Sequence, residues 1–215
     1  MPIVGSHPSA RVVLMGDSIL DNQAYIGGNP DVAAQVGALL PAGSRCTRAA
    51  IDGSVVADVP GQLTRAPGDA THLVISAGGN DALRQEGLLH TEARSVAEGL
   101  ARLSGMAGAF RNQYGAMLDA VARRRLPTAV CTIYDPRFPD PARQALAVTG
   151  LALFNDAILR EAFGRRLTVI DLRLICTAPE DFANPIEPSS LGGAKIAAAI
   201  ASFATGQGGV VLTGH

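Results

Sequence analysis

Residues 11–18 read Arg-Val-Val-Leu-Met-Gly-Asp-Ser. The run Arg11–Met15 has the length of a strand, and its unbroken apolar core suits one covered on both faces. Gly16-Asp17-Ser18 follows at once as a turn. The pattern recurs along the chain. His72–Ser76 (HLVIS) is a second such run and closes on Gly78-Gly79-Asn80-Asp81. A weaker run, Cys46–Ala50, ends at Asp52-Gly53-Ser54, and Thr128–Ile133 and Leu167–Ile170 complete a set of five.

Helical stretches separate these strands. Asp31–Leu40 follows a proline and carries Asp31 as a cap. Glu92–Leu103 and Gly105–Arg125 read as helix with a break near Ser104-Gly105, Pro141–Phe163 is long and amphipathic, and Leu191–Ala204 closes the series. The alternation predicts one doubly wound α/β domain, a five-stranded parallel sheet between two helical layers, with right-handed crossovers. Its expected bounds are a lead at 1–10, a single domain at 11–205 and a flexible tail at 206–215. In such sheets the ligand site lies beyond the carboxyl ends of the strands, at the topological switch point. That rule selects the loops after the first, second, third and fifth strands.

Composition narrows the function. The formal net charge of −1 offers no basic field for nucleic acid or an anionic membrane, and 4% aromatics without tryptophan leave little for stacking on bases. Cys46, Cys131 and Cys176 are odd in number and far apart, with no metal-ligand spacing, which reads as reduced buried thiols. The first residues lack the charged and apolar blocks of a secretion signal, and no run approaches the ~20 apolar residues of a membrane span. The expectation is a cytoplasmic protein with no cofactor, no metal, no nucleic-acid partner and no membrane.

The selected loops carry Gly16-Asp17-Ser18-Ile19, Gly53, Gly78-Gly79-Asn80-Asp81 and the segment Asn184–Ala197. In this order they resemble the blocks of the SGNH hydrolase (GDSL lipase/esterase) superfamily, from about Arg11 to Ala204. The resemblance implies a three-layer α/β/α flavodoxin-like fold and an esterase chemistry. It implies Ser18 as the nucleophile. The oxyanion donors would be the backbone N–H groups of Ser18 and Gly53 and the side-chain amide of Asn80. Each residue also has a plainer role: a serine capping the next helix, a glycine in a turn, an Asn-Asp turn.

The last block departs from the family pattern of Asp-x-x-His before Pro-Ser. Here the stretch reads Asn184-Pro185-Ile186-Glu187-Pro188-Ser189. Glu187 stands where the base belongs and Asn184 where its acidic partner belongs. No histidine substitutes: His72 begins the third strand, ~13 Å from its carboxyl end; His7 precedes the first strand, and His90 and His215 read as surface residues. Glu187 is therefore the expected base, with Asn184 donating its amide to the carboxylate. Reference pKa values of about 4.3 for Glu and 6.5 for His put such a base at a disadvantage of ~3 kcal/mol in proton affinity. Burial would recover part of it; a following helix N-terminus would deepen it.

Two functions follow. The first is a Ser18-dependent hydrolase of small acyl esters. The alternative is a catalytically weak or inactive protein that keeps the pocket to bind an anionic or acyl small molecule. A metallophosphoesterase is disfavoured by the scarcity of histidines. With no apolar lid insertion in the sequence, a small soluble ester is expected rather than a long-chain lipid. Pocket walls are expected from Tyr25–Pro30 and Arg84–His90, with Tyr134 and Asp135 near the rim.

Overall fold

The computed structural model describes residues 9–206 and 211–213. Five parallel strands form the sheet: β1 (Arg11–Gly16), β2 (Arg45–Arg48), β3 (His72–Ser76), β4 (Thr128–Cys131) and β5 (Thr168–Ile170). Three helices, α1 (Val32–Leu39), α2 (Val59–Leu63) and α3 (Gly79–Arg84), lie in the first half of the chain. In the second half lie α4 (Val96–Ala122), α5 (Pro141–Gly164) and α6 (Ser190–Thr205), with a small antiparallel pair, β6 (Phe182–Asn184) and β7 (Glu187–Pro188), before α6.

The sheet order is β2-β1-β3-β4-β5, extended at the β5 edge by an antiparallel β8 (Val211–Thr213). Part of the tail expected to be flexible thus pairs with an edge strand; residues 207–210 and 214–215 lie outside the described ones, as do residues 1–8 of the lead. β-rich Val-Leu-Thr satisfies a row of main-chain groups that β5 would otherwise leave open.

Alternate side chains of β1, β3, β4 and β5 enter two separate cores. Val12, Leu14, Val74 and Ile170 pack under α1 and α6, against Val36, Ile196 and Ile200. Val13, Met15, Ile75 and Val169 pack under α2, α4 and α5, against Leu63, Leu118 and Ile158. Burial on both faces explains why the strands read as unbroken apolar runs. Asp31 caps α1 as expected, its carboxylate accepting from the Ala34 N–H at 2.8 Å.

The break expected near Ser104-Gly105 is absent, because α4 runs uninterrupted through both residues. One helical glycine costs only ~1 kcal/mol relative to alanine. The stripe Phe110, Tyr114, Met117 and Leu118 that follows is buried in the core and outweighs that penalty.

Order reversal places the switch point between β1 and β3, each of which has its carboxyl end there. Their pairing ends at Gly16 opposite Ser76. Gly16 has φ +124°, and a Cβ at this position would lie 1.7 Å from the Ser76 carbonyl oxygen. Only glycine lets the chain leave β1 here.

Candidate active site

From that turn the chain passes to Ser18, which is almost fully buried at 6% exposure. Its hydroxyl donates to Glu187 Oε1 at 3.1 Å, joining two residues 169 positions apart in sequence. Glu187 arrives on β7, just after the tip of the β6–β7 hairpin, and is itself 7% exposed. Several bonds hold that tip. Tyr134 donates its hydroxyl to the Ile186 carbonyl at 2.8 Å, and the Arg137 N–H donates to the Pro185 carbonyl at 2.8 Å. Behind Glu187, the Ser189 N–H donates to the Asp181 carbonyl at 2.8 Å, while the Asp181 carboxylate accepts from the Thr177 and Ala178 N–H groups and from Lys195.

Burial pushes the Glu187 carboxyl up to about 7, against a smaller lowering by the Ser18 hydroxyl and a further rise from Asp52. The opposing effect expected of the α6 N-terminus is blunted. Ser189 caps that helix, accepting from the Leu191 and Gly192 N–H groups at 3.2 Å, so those donors are already engaged. Glu187 Oε2 is buried without a hydrogen-bond partner among the described residues. A carboxylate left this dry holds a proton more tightly than one in water.

Asn184 does not do what the sequence suggested. Its side chain is exposed, and its Oδ1 accepts from the backbone N–H groups of Ile186 and Glu187, both at 3.0 Å. The amide is therefore spent on shaping the hairpin tip rather than on the Glu187 carboxylate. An Asn two and three residues before free N–H groups closes this local turn in preference to reaching a neighbouring side chain.

Asn80 lines the same cavity as Ser18 and Glu187. Its amide donates one proton to the Ser54 carbonyl at 2.9 Å, which ties it to the Gly53 loop and leaves a second N–H. Gly53 adopts φ +78°, a conformation that favours glycine. Asp17, between Gly16 and Ser18, is buried and accepts from the Ile19 N–H at 3.2 Å. Burial drives its carboxyl up to about 8, with Glu187 and Asp81 adding to the rise, so it is mostly neutral at pH 7.

The histidines stand apart. His72 packs edge-on against Phe203 at the amino end of β3, and His90 is exposed; His7 and His215 lie outside the described residues. Among the described residues no group of three or more His, Cys, Asp or Glu side chains is placed to hold a metal ion. All three cysteines are free, and burial raises the Cys46 and Cys176 thiols to about 12. No helix among the described residues is long and apolar enough to cross a membrane.

Ser18 opens into a cavity of about 140 Å³. Its outer part is apolar, with Leu88, Leu103, Met106, Ile133, Leu151 and Phe154 contributed by the segment after α3, by α4, by the β4 end and by α5. The Arg84–His90 segment supplies wall residues as expected, and so does Tyr134. Tyr25–Pro30 and Asp135 do not line the cavity; Tyr25 instead donates to Asp52 at 2.6 Å, pinning the segment after Ser18 to the Gly53 loop. The apolar wall escaped sequence reading because separate elements each contribute only one or a few side chains. Two buried amides were also missed: Asn22, which accepts from the Val32 N–H, and Gln62, which binds Gly16. A lone amide among apolar neighbours, as in Pro60-Gly61-Gln62-Leu63, is the available signal.

The fold and this cluster together define an α/β protein of the SGNH type. The GDSL-like lipase/acylhydrolase family model matches residues 14–193, and the chain belongs to that family. No curated protein matches the sequence at a significant level. Solved structures share the architecture. An extracellular lipase from Streptomyces rimosus superposes with a TM-score of 0.67 at 18% identity, covering 90% of this chain and 99% of its own. A lipase/acylhydrolase from Enterococcus faecalis gives 0.65 at 20%, covering 92% and 96%. An acetyl xylan esterase from Geobacillus stearothermophilus gives 0.64 at 16%, covering 90% and 94%. At these identities the likeness is one of fold.

Proposed function

We propose that the chain is a serine-dependent ester hydrolase in which Glu187 does the proton handling that histidine does elsewhere in the family. The observation that carries this is the bond of 3.1 Å from the Ser18 hydroxyl to a carboxylate that burial has raised to about 7. That value lies beside the ~6.5 of histidine, so the disadvantage of a carboxylate base is offset by its surroundings.

As Ser18 Oγ attacks the ester carbonyl carbon, its proton passes to Glu187. The oxyanion is received by the N–H groups of Ser18 and Gly53 and the free N–H of Asn80, roles the family resemblance implies. Collapse breaks the bond to the leaving oxygen, which takes the proton from Glu187. Water then attacks the acyl-serine and gives a proton to Glu187, and the second collapse releases the acid and returns a proton to Ser18. Asp17, neutral at pH 7, adds no full charge to oppose the ionised Glu187.

The substrate proposed is an ester with a short to medium apolar acyl chain. An apolar cavity of about 150 Å³ takes one benzene, six carbons, and the cavity here has a similar volume of about 140 Å³. Binding of an anion without catalysis fits less well. The Glu187 carboxylate faces the inner site, and Arg143 at the mouth is paired with Glu86 at 2.8 Å. Ser18→Ala and Glu187→Gln, assayed on aryl esters, are expected to lose at least ~100-fold in kcat, and a fluorophosphonate is expected to label Ser18 in the wild type. Wild-type turnover in both variants overturns the proposal.

A further inference from the structure

After Arg48, β2 peels away from β1. Their register ends with Leu14 opposite Arg48, and the N–H groups of Ala49 and Ala50 both turn back to the Leu14 carbonyl, at 2.8 and 2.9 Å. The chain then enters the loop that carries Gly53. Beyond the fork the Ile51 N–H still donates to the Gly16 carbonyl at 3.1 Å, but the Gly16 N–H, two residues before Ser18, has no main-chain acceptor on that side.

Gln62 fills the gap. Its Oε1 accepts from the Gly16 N–H at 2.6 Å and its Nε2 donates to the Gly16 carbonyl at 2.8 Å. The carboxamide thus supplies the acceptor that the Gly16 N–H lacks and joins the Ile51 N–H at the Gly16 carbonyl. The remaining Nε2 proton goes to Ser54 Oγ at 3.1 Å, the residue after Gly53. Gln62 is 1% exposed, and its amide has every donor engaged. The Ser54 carbonyl in turn accepts from Asn80. One side chain therefore spans the turn that carries Ser18 and the loop that carries Gly53, to which Asn80 is tied through the Ser54 carbonyl.

We propose that Gln62 is a positioning residue for ester hydrolysis, setting the distance between Ser18 and the Gly53–Asn80 donors without touching substrate. The proposal rests on the reading of Ser18 as nucleophile. An ångström of misplacement can cost ~100-fold in rate, and a hydrogen-bonded clamp at this fork is what prevents it.

The test uses Gln62→Met, which keeps length without the amide, and Ser54→Ala, which cuts only the arm to the Gly53 loop. With an aryl butyrate, Gln62→Met is expected to lower kcat by ~10–100-fold with KM changed less than about twofold. Ser54→Ala is expected to lower kcat by a smaller factor, ~3–10-fold. In an Asn80→Ala background the Gln62→Met effect should shrink to about threefold or less, since the donor set is already broken. A kcat retained within about twofold in Gln62→Met, or a full multiplicative loss in the Asn80→Ala background, overturns the proposal. If Gln62→Met fails to fold, unchanged kcat in Ser54→Ala does so instead. Should the wild type prove no faster than Ser18→Ala, the hydrolase reading fails, and amide hydrogen exchange decides the clamp separately. Faster exchange at 16–18 and 51–54 in either variant, with β4 and α5 unchanged, upholds it; unaltered exchange in these segments overturns it.

Discussion

The Tyr134 hydroxyl donates to the main-chain carbonyl of Ile186 at 2.8 Å, one residue before Glu187. A side chain at the end of β4 thereby fixes the height of the hairpin that delivers the carboxylate. The same ring stacks edge-on against Phe182 with centroids 5.1 Å apart. Tyr134→Phe keeps that packing and removes only the bond. It is expected to lower stability by ~1 kcal/mol and kcat by several-fold, as read by thermal unfolding and aryl-ester kinetics.

Asn184 acts through the backbone, so its variants should separate acceptor from charge. Asn184→Ala removes the acceptor shared by the Ile186 and Glu187 N–H groups and is expected to cost ~1 kcal/mol of stability. It should leave the pH midpoint of activity in place, because the side chain makes no bond to the Glu187 carboxylate. Asn184→Asp retains an acceptor oxygen and should restore most of the lost stability. A midpoint displaced by more than about one unit in Asn184→Ala would show that the amide reaches the carboxylate after all.

Asp17 makes stability fall with pH. Its carboxyl is raised from 3.8 to about 8 in the folded protein, so the unfolded chain releases its proton first. The stabilisation is complete below about pH 4 and is lost as pH rises through about 8. Asp17→Asn keeps an acceptor for the Ile19 N–H without ever ionising. Its melting temperature relative to wild type should therefore climb between about pH 5 and about pH 9; a constant difference across that range contradicts an elevated Asp17.

Much of this was legible in the sequence, and the exceptions share a cause. Strands β1 and β3 announce themselves as apolar runs because both faces are buried, and Gly16-Asp17-Ser18 and Gly78-Gly79-Asn80 follow them directly. The pairing of Ser18 with Glu187 followed from motif order. What stayed hidden depends on where a side chain points. Asn184 can serve either a carboxylate or a backbone turn, and residue type does not choose between them. Gln62 belongs to no motif, and its partners Gly16 and Ser54 lie 46 and 8 residues away. The helix break failed because Gly105 supplied a local penalty while the packing of Phe110 through Leu118 acted over a longer range.

The apolar cavity predicts chain-length selectivity. Each buried methylene is worth ~0.8 kcal/mol, so two added methylenes that bind inside raise kcat/KM by about tenfold. Aryl butyrate and hexanoate should therefore be hydrolysed faster than acetate. Leu151→Trp, which fills the wall between α4 and α5, should lower the hexanoate-to-acetate ratio. Equal rates for all three chain lengths would mean that the acyl group lies elsewhere.

The central claim is that Glu187 must be ionised to take the proton from Ser18. Its most direct test is the pH dependence of kcat/KM for an aryl butyrate. With the carboxyl at about 7, the rate should rise to a plateau with a midpoint there, and Glu187→Gln should abolish the rise together with at least ~100-fold of activity. A full rate that stays flat from about pH 5 to about pH 9, or a Glu187→Gln variant that retains the wild-type profile, would contradict it.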